Sequence, residues 1–258
     1  MEVGFRAPLH DHRHGRHPPA IGPILTTRTS PIVLSTAASA PETGSDAAQL
    51  PTLSLVGLSC RRGDRVLFKG VDLEVRPGCA VWLRGRNGRG KTSLLRLACG
   101  LAAPEAGSVL WGGVAVRRAA GYADRRLYIG HANALKEDLT VRESLRFLAH
   151  LHGRAHDDAS IDAALVRVGM ASRRDAAVRT LSQGQRRRAA LARLALERAA
   201  GLWILDEPYD ALDVDGIACV DGLLHEQLAR GGSVLLTSHL PPGPGAPPMS
   251  EFDLDRFA

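Results

Sequence analysis

The sequence predicts an α/β fold, a mostly parallel β-sheet covered by helices. Three observations predict it. Short runs rich in Val, Leu and Ile (AVWLR at 80–84, GLWILD at 201–206, SVLLTS at 233–238) alternate with segments whose apolar residues recur at helical spacing. Turn signals such as RRGD at 61–64 and Pro77-Gly78 separate them. A glycine-rich stretch, GRNGRGKT at 85–92, lies between a predicted strand and a predicted helix. The chain has 258 residues, 45% hydrophobic and 23% charged, which is ordinary globular usage and long enough to bury a core without disulfides. That composition excludes collagen, a coiled coil and wholesale disorder. No stretch approaches the ~20 consecutive apolar residues of a membrane helix.

Taken in order, residues 53–59 (LSLVGLS) read as a strand, RRGD as a turn, and 71–75 (VDLEV) as a second strand. Pro77-Gly78 turns the chain into AVWLR, a third strand. After the glycine-rich loop, TSLLRLACG at 92–100 is apolar at helical spacing, with Gly100 as its stop. Further strands are expected at 108–111 (SVLW), 126–130 (RLYIG), 201–206 and 233–238. Thr140 and Glu143 form a capping box that opens a helix through Arg146, Phe147 and Leu151. Two more helices are expected from about Gln183 to Arg198 and from about Asp213 to Arg230.

The ends differ from the middle. Residues 1–50 are rich in Pro, Ser, Thr, Ala and His without a sustained period, and read as a disordered leader or a mis-assigned start. Residues 51–240 form the domain, and the Pro-rich and then acidic 241–258 reads as a tail. Cys60, Cys79, Cys99 and Cys219 show no metal-ligand or CxxC spacing and read as small buried hydrophobes in a reducing compartment. The net charge is +6, and Lys69, Lys91 and Lys136 are the only lysines among the basic residues. That balance suits a solvated surface, phosphate ligands, nucleic acid or an anionic membrane face.

The segment GRNGRGKT fits G-x-x-x-x-G-K-[ST]. Gly85, Gly88 and Gly90 allow positive φ angles that turn backbone N–H groups inward, and the helix beginning near Lys91 adds its positive end. The cradle comprises Gly85, Arg86, Asn87, Gly88, Arg89, Gly90, Lys91, Thr92 and Ser93, with Lys91 reaching the β and γ phosphates of ATP and Thr92 binding Mg²⁺. The apolar strand at 201–206 ends in Asp206-Glu207. Asp206 is placed to hold Mg²⁺ or its water shell, and Glu207 to polarise an attacking water as general base.

Residues 181–185 read LSQGQ and precede RRRAALARLAL. Ser182 and Gln185 form a capping box for the helix. The segment also resembles the Leu-Ser-x-Gly-Gln signature of the ATP-binding cassette (ABC) family. The order of the other motifs matches that family too: phosphate loop, signature, acidic strand, an Ala211-Leu212-Asp213 turn, and Thr237-Ser238-His239 after the last core strand. The resemblance covers about residues 52–240. It implies a P-loop NTPase nucleotide-binding domain with a RecA-like core, an antiparallel β subdomain and an α-helical subdomain over about 135–185. It also implies a homodimer closed head to tail over ATP. Ser182, Gly184 and Gln185 of one copy would meet the γ-phosphate held by the other, His239 would contact that phosphate and hold the attacking water, and Asp213 would link the two sites.

Within that family the chain resembles the ATPase subunit of the cytochrome c maturation system. The likeness lies in IGH…LK…LT at 129–140, RGDRVLF at 62–68, the GQRRR run and the WILDEP strand. It implies an ATPase on the cytoplasmic face of the bacterial inner membrane, peripheral, with a membrane-spanning CcmB-type subunit and a CcmC-type haem-handling subunit as partners. The role implied is haem export or release of a haem-loaded chaperone, the alternative being the ATPase subunit of a different ABC exporter or release system. Most cassettes carry Gln nine residues before the LT threonine. Here His131 holds that place as a metal or water ligand, unless it is a plain surface His and the role is lost or served by Asn133. The usual adenine-stacking aromatic is missing, leaving Arg61 or Arg62. No CxxCH is present. A cassette acting on nucleic acid is disfavoured by the single phosphate loop and the absence of heptads.

Overall fold

The computed structural model describes residues 50–239 and 241–257. The expected leader, apart from Leu50, lies outside the described residues. The chain opens with β1 (Leu53–Arg62) and β2 (Arg65–Val75), an antiparallel hairpin turned at Gly63-Asp64. The second strand starts six residues earlier than its VDLEV run, because its first half, with Leu67 and Phe68 buried between exposed Arg65 and Lys69, pairs with the end of β1 in that hairpin. β3 (Ala80–Arg84) leads through the glycine-rich loop into α1 (Lys91–Ala98). β4 (Ala106–Trp111) pairs with β1, and the short β5 (Val114–Ala115) folds back on β4. A single turn, α2 (Tyr122–Arg125), precedes β6 (Arg126–Ile129). α3 (Val141–Leu151), α4 (Asp158–Arg167) and α5 (Gln183–Leu196) follow. β7 (Leu202–Leu205), α6 (Val214–Ala229), β8 (Ser233–Thr237) and β9 (Met249–Asp253) complete the order.

The strands make two sheets. One is antiparallel in the order β2-β1-β4-β5, and the other is parallel in the order β6-β7-β8-β3-β9. The central strands of the parallel sheet are buried on both faces, which is why they read as unbroken apolar runs. Side chains still alternate by face. Val81, Leu83, Leu202, Ile204 and Leu235 pack with α1 and the antiparallel sheet. Ala80, Trp82, Trp203, Leu205, Val234 and Leu236 pack with α5 and α6. Each fully buried Leu or Val contributes about 1.5–3 kcal/mol relative to exposure. This two-sided packing therefore fixes the strand ends where the loops depart. A separate apolar cluster joins α3, α4 and α5 through Val141, Leu145, Ile161, Leu165, Ala189 and Leu196. It is built on the capping box read from the sequence, in which Thr140 Oγ1 accepts from the Glu143 N–H at 3.2 Å and Glu143 accepts from the Thr140 N–H at 2.9 Å.

One reading of the chain's organisation needs correction. Residues 249–257 are part of the fold and not a tail. β9 pairs in parallel with β3, and Leu254 in the following 3₁₀ turn is fully buried in the same cluster as α1. The segment MSEFD looks unlike a strand because it lies at the sheet edge, half-exposed, where charged residues also discourage pairing with another chain.

Candidate active site

β3, β7 and β8 are parallel, so their carboxyl ends lie at one edge of the sheet. The phosphate loop leaves β3 there, Asp206-Glu207 leaves β7, and Ser238-His239 leaves β8. Sites in open parallel sheets form at this edge.

The phosphate loop has the backbone its glycines allow, with φ of 146° at Gly85, 75° at Gly88 and 98° at Gly90. Gly90 has a second reason to lack a side chain: a Cβ there would lie 3.1 Å from Leu67 Cβ and 3.2 Å from Phe68 Cδ1. Gly90 is also the N-cap of α1, and no side chain caps that helix, so its first N–H groups face the loop. Lys91 is buried and its Nζ donates to the Gly85 carbonyl at 2.7 Å, folding the ammonium across the loop. Thr92 and Ser93 are half-buried in the first turn of α1, while Arg86 and Asn87 are exposed.

The outer side of the loop is held by the C-terminal turn. Asp255 accepts from the Arg86 N–H at 3.1 Å and from Arg89 Nε at 2.8 Å. Partial desolvation raises the Asp255 carboxyl, but the Arg86 N–H and the two guanidinium groups outweigh it and leave it below the usual range. Asp255→Ala should therefore loosen the loop and weaken ATP binding by about two- to five-fold, the scale of an exposed ion pair. Equilibrium titration with a fluorescent ATP analogue checks this, and unchanged affinity would show that the loop holds its shape alone.

The acidic pair is held by hydroxyls. Asp206 Oδ2 accepts from Thr92 Oγ1 at 2.8 Å, and Asp206 Oδ1 accepts from Thr237 Oγ1 at 3.0 Å. Thr237 Oγ1 in turn accepts the Glu207 N–H at 2.9 Å. Glu207 has φ +52°, the left-handed region that costs a non-glycine residue about 1 kcal/mol or more. That turn aims its carboxylate at β8, where Oε2 accepts from the His239 N–H at 2.8 Å and Oε1 lies 3.5 Å from His239 Nε2. The predicted base and the predicted phosphate contact are thus adjacent.

Ser182 caps α5, accepting from the Gln185 N–H at 3.2 Å while Gln185 Oε1 accepts from the Ser182 N–H at 3.0 Å. Ser182 is exposed at the helix tip. Gly184 is required within the chain itself, because a Cβ would lie 2.7 Å from the Ala211 carbonyl oxygen. Asp213 caps α6 by accepting from the Gly216 N–H at 2.9 Å and pairs with Arg188. That N–H first, and the guanidinium second, hold its carboxyl below the usual range.

His131 is exposed just beyond β6, while Asn133 Oδ1 accepts from Arg187 Nη1 at 3.1 Å. Among the described residues no three His, Cys, Asp or Glu side chains cluster as a metal site. The hydroxyl of Thr92 and the carboxylate of Asp206 do converge, and this oxygen pair is the chemistry a hard divalent cation takes. Arg61 is paired with Glu105 at 3.1 Å and Arg62 is exposed at the hairpin end.

Comparison with known proteins decides the family. A model described as ABC transporter matches residues 68–210. The Cytochrome c biogenesis ATP-binding export protein CcmA of Methylococcus capsulatus is 50% identical over 184 residues, 71% of this chain and 88% of that protein. The proteins of the same name from Albidiferax ferrireducens and Aromatoleum aromaticum are 45% and 47% identical over 98% and 97% of their lengths, and over 80% and 81% of this chain. The chain belongs to the CcmA group of ABC transporter ATP-binding proteins. A solved ABC transporter ATP-binding protein from Pyrococcus furiosus shares the fold, with TM-score 0.69 and 25% identity over 80% of this chain and 99% of that one.

As an ABC cassette, the chain is an ATP-binding ATPase. Three residues facing its site escaped sequence reading. In the sequence Thr237 is one member of a motif, whereas in the fold its hydroxyl joins Asp206 to Glu207. Arg187 is one of a run of arginines. Asp255 carried no signal, because its role depends on β9 reaching the sheet.

Proposed function

We propose that this chain is the ATP-hydrolysing subunit of a membrane complex for c-type cytochrome biogenesis, acting in haem export or in release of a haem-loaded chaperone. The observation that carries the reading is identity of 45–50% to CcmA proteins over most of their length. Among the described residues no helix is long and apolar enough to cross a membrane. A membrane-spanning CcmB-type subunit and a CcmC-type haem-handling subunit would supply the crossing, with this chain peripheral on the cytoplasmic face of the inner membrane.

Two copies would close head to tail, each ATP lying between the phosphate loop of one and the signature helix of the other. Lys91 and the N–H groups of 85–93 would bind the phosphates. Ser182, Gly184 and Gln185 of the partner subunit would approach the γ-phosphate at a helix N-terminus, where an anion is favoured. Thr92 and Asp206 would hold Mg²⁺, which neutralises phosphate charge when bound. Glu207 would take the proton of the attacking water while His239 holds that water against the phosphate. His131 would stand at the metal or water-ligand position near the membrane partner, and Asp213 would link the two sites.

Deletion of the gene tests the assignment. Haem staining of membrane and periplasmic fractions should show c-type cytochromes lost and b-type haem proteins retained. Normal c-type cytochromes in the deletion strain would move the chain to another exporter.

A further inference from the structure

Arg187 lies in the second turn of α5 and is 3% exposed, the most buried basic side chain among the described residues. Burial pulls its pKa down, and Asp210, Asp206 and Glu207 oppose that pull. A guanidinium is buried at a cost that only hydrogen bonds and nearby charge offset. Its hydrogen bonds go to the active-site backbone. Nη2 donates to the Asp206 carbonyl at 2.8 Å and to the Glu207 carbonyl at 2.6 Å. Nη1 donates to the Gly130 carbonyl at 3.0 Å and to Asn133 Oδ1 at 3.1 Å.

These contacts bracket the one strained residue of the acidic pair. Glu207 keeps φ +52° only if its surroundings over-determine it. Its N–H is held by Thr237 from β8, and its carbonyl by Arg187 from α5. The same guanidinium also grips the segment after β6. The two Nη groups of the Arg fork serve four acceptors at once, which a Lys or Gln side chain does not match.

We propose that Arg187 is a positioning residue for hydrolysis. Its guanidinium locks the Asp206-Glu207 peptide in the left-handed turn that aims the Glu207 carboxylate, and ties that turn both to the signature helix and to the 130–133 loop. The inference rests on the reading of Glu207 as general base. Closure of a second copy on the tip of α5 is thereby transmitted through five residues of helix to the base itself. Every hydrogen bond of Arg187 goes to the 206–207 and 130–133 segments and none to the phosphate loop, so its loss misaims the base and leaves nucleotide binding intact.

The test uses native membranes carrying the complex, with Arg187→Ala, Arg187→Lys and Glu207→Gln compared. Misplacement of a reacting group by about 1 Å costs up to roughly a hundred-fold, so kcat should fall about ten- to a hundred-fold in Arg187→Ala with KM for ATP within about two-fold. Arg187→Lys should remain defective despite its charge. Added ethylguanidinium, which fits the space vacated in Arg187→Ala, should restore part of kcat and leave Arg187→Lys unchanged. If Arg187→Ala does not fold, the kcat and KM of Arg187→Lys decide alone. Native kcat in either folded variant, or a rise in KM that accounts for the whole loss, would overturn the inference. If Glu207→Gln also retains native turnover, the base assignment itself fails. If only Glu207→Gln stops turnover, the base stands and the positioning role falls.

Discussion

Glu207→Gln should bind ATP as tightly as the native chain and hydrolyse it at least about a hundred-fold more slowly, the usual scale for loss of a general base. The substitution is nearly isosteric. A glutamine carbonyl oxygen still accepts the His239 N–H now held by Glu207 Oε2, and the backbone bonds to Thr237 and Arg187 are untouched. What is lost is the basicity needed to take a proton from water. Because binding is separated from turnover, ATP should persist between two copies and hold them together. Crosslinking or light scattering with ATP and Mg²⁺, membrane partners present, should show a stable pair of cassettes for Glu207→Gln and a transient one for the native chain. Undiminished hydrolysis would place the base elsewhere. Separate single copies under trapping conditions would remove the shared-site arrangement from which the roles of Ser182 and Gly184 derive.

Most of the parallel core was legible because each buried strand is apolar on both faces, and a doubly covered strand leaves an unbroken run such as LWIL. Capping boxes at Thr140 and Ser182 were legible because their chemistry is local, within three residues. The phosphate loop was legible for the same reason. The first half of β2 was less plain, because Arg65 and Lys69 interrupt its apolar run even though its partner β1 is only a two-residue turn away, and β9 was hidden because a partly exposed strand carries charged residues and its partner β3 lies far away in sequence. Arg187 and Asp255 share that difficulty. A basic residue in RRR and an acidic one in DLDR look like solvated surface, and only the fold brings the first to the Glu207 carbonyl and the second to the phosphate loop. At the 130–133 loop spacing alone does not choose between His131 and Asn133: His131 is exposed, while Asn133 Oδ1 accepts from Arg187.

Lys91→Ala should weaken ATP binding on the order of a hundred-fold or more, without unfolding the chain. The ammonium is a buried point charge, and the other cations of the loop, Arg86 and Arg89, are paired with Asp255 on its outer side, so it has no ready substitute within the cradle. The loop itself does not depend on it. Gly85, Gly88 and Gly90 hold their angles through the chain, α1 stays anchored by Leu94, Leu95 and Leu97, and Asp255 still grips Arg86 and Arg89. The variant frees only the Gly85 carbonyl, which water reaches at the half-buried rim. Thermal unfolding should therefore shift by a few degrees at most, while titration with a fluorescent ATP analogue shows binding lost. The two measurements together separate a missing charge from a collapsed loop. Tight ATP binding by a folded Lys91→Ala chain would mean that the phosphates are held by something other than the glycine loop, and the placement of Thr92, Asp206 and Glu207 around them would have to be rebuilt from another anchor.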